Sequence, residues 1–126
     1  MVRLILAFIV APVVWGVVMF GGTLLIGMVF PDVQPAGPFP TGYLVLALVG
    51  SVIYSVVSGM AAAAVAGGDA TRAGLVAGVA LLLVGVGVQA GSWDLLPVWY
   101  HLVFLALLIP AAVVGARLLG NRSAPA

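Results

Sequence analysis

The side chains able to carry acid–base, nucleophilic or metal chemistry in this sequence are few. His101 is the single histidine, the carboxylates are Asp32, Asp69 and Asp94, and the 126 residues contain no Glu, Lys or Cys. Without cysteine there is no thiol exchange, disulfide relay, iron–sulfur ligation or covalent c-type haem attachment. His101 alone cannot supply two axial imidazoles, and Met1, Met19, Met28 and Met60 stand at no ligand spacing to it. It is a candidate cofactor contact, for haem or quinone, only beside a partner subunit. Its run, VWYHLVF, fits better an interfacial histidine in an aromatic belt, bonded to water, loop backbone or a lipid head group. A catalytic or proton-coupled membrane protein keeps an ionisable group inside its spans. None is found here, and paired carboxylates for proteolysis or for a bridged metal are missing too. The residues predict no catalytic site, no metal centre and no enzyme.

Uncharged polar groups are the remaining candidates. Thr23, Ser51, Tyr54, Ser55, Ser58 and Gln89 interrupt otherwise apolar runs. Thr23, Ser51 and Gln89 fall in the outer halves of those runs and could converge on a vestibule near His101 that accepts a quinone head group or a lipid. The plainer reading is helix-to-helix hydrogen bonds of about 0.6 kcal/mol each, or hydroxyls bonded to their own helix carbonyls.

A second pattern is the spacing of small residues. Ser51, Ser55, Gly59, Ala63 and Gly67 fall four apart and read as a ridge; Gly74 and Gly78 repeat the spacing, as do Ala111 and Gly115. Small residues at this spacing let membrane helices approach closely, so these positions are expected to pack helices together.

The elements that must position these groups follow from composition. The chain is 65% hydrophobic and 6% charged, with a mean hydropathy of +1.38. Soluble domains carry about a quarter charged residues, so this is a membrane protein. Charge-free apolar runs cover 4–30, 43–66, 73–91 and 98–116. As helices they reach about 40, 36, 28 and 28 Å, against a hydrocarbon core of about 30 Å. The fold expected is an all-α bundle of four transmembrane helices forming one domain. The first apolar run is too long for a cleavable signal and reads as a retained span.

Arg3, Arg72, Arg117 and Arg122 all fall at one end of these spans, and Asp32 and Asp94 at the other. The positive-inside rule then places both termini in the cytoplasm and the chain in the cytoplasmic membrane. Phe30, Phe39, Tyr43, Trp93, Trp99 and Tyr100 cluster at the outer boundary as an aromatic belt. The outer loop 31–42 carries Pro31, Pro35, Pro38 and Pro40 and should be stiff. In the inner turn Gly67 and Gly68 end one helix, and Asp69 or Thr71 caps the next. Pro12 and Pro110 bend their spans, and the tail 120–126 is expected to be disordered.

SGMAAAAVAGGDATRAGLVAGVA, followed by PVWYHLVFLALLIPAAVVGARL, is similar to small uncharacterised bacterial four-helix integral membrane proteins. That resemblance covers about the last two thirds of the chain and implies topology only. Small multidrug transporters are of like size but depend on a Glu in the first helix, and the polar constellation of fluoride channels is absent. By elimination, the expected role is a non-catalytic accessory subunit whose small-residue grooves meet other membrane helices. The alternatives are a small self-associating channel or transporter for a neutral or lipid-like solute, lined by Thr23, Tyr54, Ser55 and Gln89, and a quinone- or haem-adjacent subunit of an electron-transfer complex. Membrane lipids, other integral subunits or further copies are the expected partners. Four scattered arginines leave no footprint for nucleic acid.

Overall fold

Leu, Ala, Val and Gly in long charge-free runs leave the backbone no hydrogen-bond partner in hydrocarbon except its own, and helices result. The computed structural model describes the backbone of residues 2–34 and 37–123, with side chains up to residue 120. Met1, Pro35 and the side chain of Arg122 lie outside the described residues. The elements are α1 (Val2–Val29), α2 (Thr41–Ala66), α3 (Ala70–Gly91), a single 3-10 turn (Trp93–Leu95) and α4 (Val98–Ser123). All four α-helices are long and apolar enough to cross a membrane, as expected for a multi-pass membrane protein, and no strand occurs among the described residues.

Helix ends follow local chemistry. α1 stops before Pro31, and α2 starts immediately after Pro40, whose carbonyl accepts from Leu44 N at 3.1 Å. Gly67, at φ +67°, closes α2 by donating its N–H to Ala63 O at 3.0 Å. Asp69, not Thr71, caps α3: its carboxylate accepts from Thr71 N at 2.9 Å and Arg72 N at 3.4 Å. Residues 120–123, expected to belong to a disordered tail, are helical, because α4 runs through Ser123; the rest of that tail lies outside the described residues.

Around the bundle the order is α1, α2, α4, α3, with α3 closing back on α1. Arg3 Nε donates to Val65 O at 3.1 Å, supplying a cation and a donor to the C-terminal carbonyls of α2. Gly120 packs on Ala70. The start of α1 and the last turns of α4 therefore share one end of the bundle with the α2–α3 turn, termed the near end. At the far end Phe30 and Tyr43 meet edge to face, with centroids 5.9 Å apart.

The near half is held by residues without bulk. A β-carbon added at Gly59 would sit 2.0 Å from Ala112 O, and one at Gly115 would sit 1.9 Å from Val56 O. On α3, Gly74 and Gly78 meet the α4 backbone at Val113 and Ile109. Ala7, Ala11, Ala62, Ala73, Ala77 and Ala112 are fully buried between the helices. The expectation that such grooves remain for a partner is corrected here, since Gly59, Gly74, Gly78 and Gly115 close on this chain's own backbones.

The five-member ridge on α2 is also shorter than the spacing suggested. Each four-residue step turns the helix about 40° past a full turn, so Gly67 lies about 160° around from Ser51. Ser51, Ser55 and Gly59 are buried, Ala63 is half-buried, and Gly67 serves the turn rather than the packing. Ala111 and Gly115 are buried on α4. Large apolar side chains such as Val17, Phe20, Leu24 and Leu25 face outward, as lipid contact requires.

Candidate functional site

Above Pro12 and Pro110 the inward-facing residues change from Ala and Gly to aromatic and polar types, and the helices enclose a cavity of about 220 Å³. α1 contributes Trp15, Met19 and Thr23, four residues apart and so on one helical face. α2 contributes Tyr43, Ala47, Ser51 and Tyr54, again at steps of three and four. α3 gives Val88 and Gln89, α4 gives Tyr100 and Phe104, and Phe39 of the α1–α2 loop completes the lining. No formally charged side chain lines the cavity.

Trp15 forms much of the floor. Its ring stands edge-on to Tyr54 at 5.6 Å and to Phe104 at 6.0 Å, and its Nε1 donates to Ser55 Oγ at 3.1 Å. Ser55 in turn donates to Ser51 O at 2.7 Å, and Ser51 to Leu48 O at 2.7 Å, so these hydroxyls are satisfied by their own helix. Ser58 does the same with Tyr54 O at 2.8 Å. Gly22 and Gly50 leave the slot that holds the Tyr54 hydroxyl, because a β-carbon at Gly22 would lie 1.8 Å from it.

The wall is incomplete between α1 and α3. Met19 is 39% exposed, Val88 is 55% exposed, and Thr23 is exposed as well, yet all three line the cavity. That side faces hydrocarbon in a membrane. Below the floor a crevice of about 30 Å³ continues between Pro12, Leu81, Val84 and Gly85.

Behind Gln89 stands His101, in the first turn of α4 and fully buried. Its Nε2 donates to Trp93 O at 3.1 Å, its Nδ1 is paired with the side-chain amide of Gln89, and the Trp93 ring stacks on it at 4.3 Å and 7°. With both ring nitrogens engaged, His101 offers no free lone pair for a haem or metal. A loop carbonyl is one of the partners its sequence context suggested; water and lipid are not needed.

Of the residues singled out from sequence, Thr23, Ser51, Tyr54 and Gln89 do converge on one cavity, and Ser55 sits behind Trp15 without lining it. All six belt aromatics lie at the far end, but Phe39, Tyr43 and Tyr100 line the cavity, whereas Trp93 and Trp99 stay exposed at 45% and 43%. Sequence reasoning missed Trp15 and Phe104. A tryptophan in mid-span, away from the boundary where tryptophans concentrate, was the available signal. No protein-family model, curated protein or solved structure matches this chain.

Proposed function

We propose that this protein binds an uncharged, lipid-soluble molecule in the far-half cavity, with a head the size of one substituted ring and an apolar tail left in the bilayer. The cavity carries this reading. An apolar cavity of about 150 Å³ holds a benzene molecule, and pockets for drug-sized ligands run from about 300 Å³ upward. At about 220 Å³ the space suits one ring or small head group. Its aromatic walls favour a flat partner, its lack of charge favours a neutral one, and the gap beside Met19, Thr23 and Val88 gives passage from lipid.

Binding, rather than bond-making or an open pore, is the role we assign, since below the floor only the crevice of about 30 Å³ continues and the glycine contacts of the near half hold the helices at backbone distance beyond it. Arg3, Arg72 and Arg117 gather at the near end, so the positive-inside rule sets that end in the cytoplasm and opens the cavity into the outer leaflet. An accessory role beside other membrane subunits is compatible with such a site, but Gly59, Gly74, Gly78 and Gly115 do not support it, since this chain's own helices fill them.

The test is retention of a ring probe such as para-decylphenol by the detergent-solubilised chain, read by native mass spectrometry. One probe per chain is expected, with occupancy falling at least about tenfold in Ala47→Phe, which fills the space. Equal occupancy in both proteins would refute the assignment.

A further inference from the structure

The reading of the cavity as a ligand site leaves open what selects the ligand, and the geometry behind Gln89 supplies an answer that rests on that reading. Gln89 is 5% exposed and lines the cavity. Its amide has two unlike ends, an oxygen that only accepts and an NH2 that only donates. In the structure the oxygen end, Oε1, is held by His101 Nδ1. The other has no hydrogen-bond partner among the described residues, and no sealed side-chain polar atom lacks one, so that end meets open space in the cavity.

Which end faces the ligand depends on one proton. The Trp93 carbonyl can only accept, so His101 Nε2 carries hydrogen in either state of the ring. With the ring neutral, Nδ1 accepts from the Gln89 NH2 and the amide oxygen turns to the cavity. With the ring protonated, Nδ1 donates to Gln89 Oε1 and the NH2 turns to the cavity. Trp93, stacked on the imidazole, offers its π face to the cation. The titratable neighbours are Tyr100, edge-on to the ring at 6.4 Å, and Asp94 of the same turn as Trp93; α3 presents only the uncharged Gln89. We infer that Gln89 is the specificity-determining residue of the cavity, selecting a ligand hydroxyl over a carbonyl while His101 is neutral and admitting either once His101 is protonated. Uptake of one proton from water at Nδ1 is the only chemical change, and no bond of the ligand alters.

Competition between para-decylphenol and para-decylacetophenone for the solubilised full chain tests this, at about pH 5 and about pH 8. The phenol-to-ketone occupancy ratio should fall about tenfold on acidification, the worth of one exchanged hydrogen bond. In Gln89→Met the ratio should not respond to pH. A ratio independent of pH in the native chain, with both probes bound, overturns the inference and leaves the cavity reading intact. Failure of both probes to bind overturns the two together. A pH response that persists in Gln89→Met also overturns the inference. Should that variant not fold, nitrogen-15 NMR of the native chain decides, because its only histidine gives one pair of ring signals. A ring going from one N–H to two across this range is expected, and one unchanged throughout refutes the switch.

Discussion

The two halves of this bundle are built from the same apolar alphabet and do opposite things. Near the termini, glycine and alanine bring α2, α3 and α4 to backbone contact, with Gly59 against Ala112 O and Gly115 against Val56 O. In the far half, Trp15, Tyr43, Tyr54, Tyr100 and Phe104 of α1, α2 and α4 line a cavity between the helices. Lipid gives helices no hydrophobic reason to associate, so close packing in one half must secure the fold while the other half stays open. The change falls at Pro12 and Pro110, which sit inside α1 and α4 at this level.

The near half should break most readily. Gly59→Leu drives a side chain into a backbone carbonyl and should lower stability by about 3 kcal/mol, read as a fall in the helical melting temperature in detergent. Retention of the native melting temperature would deny the backbone contact. Ser55→Ala removes the acceptor of the Trp15 indole and should cost about 0.6 kcal/mol while shifting Trp15 fluorescence. An unshifted spectrum would place the indole elsewhere. Gly27→Ala should change stability by less than about 0.5 kcal/mol, since nothing lies within 4 Å of the added carbon. A loss as large as that of Gly59→Leu would mean that glycine itself, not its neighbours, sets the cost.

The four spans and their alternation were legible because apolar runs without charge permit little else, and Gly67, Gly68 and Asp69 marked their turn by ordinary capping chemistry. Depth along the helices allowed Thr23, Ser51 and Gln89 to converge but did not favour it over separate helix-to-helix hydrogen bonds, since depth does not fix which face of a helix a residue occupies. The Gln89–His101 pair was not, because twelve residues and a chain reversal separate the two and no helical period joins them. Nor was the inward turn of Tyr43 and Tyr100, since a boundary aromatic satisfies the same composition whether it faces lipid or bundle. The small-residue ridge holds at Ser51, Ser55 and Gly59 and departs at Gly67 for a geometric reason: a repeat of four drifts around a helix of 3.6 residues per turn.

Photolabelling in bilayers with an aryl diazirine carrying a decyl tail tests the central claim most directly. Adducts mapped to Met19, Thr23, Tyr43, Ala47 or Gln89 would put the ring inside the bundle, as this account predicts. Adducts confined to outward positions such as Phe20, Leu24 and Val45 would mean that lipid-soluble rings meet only the outer surface, contradicting it.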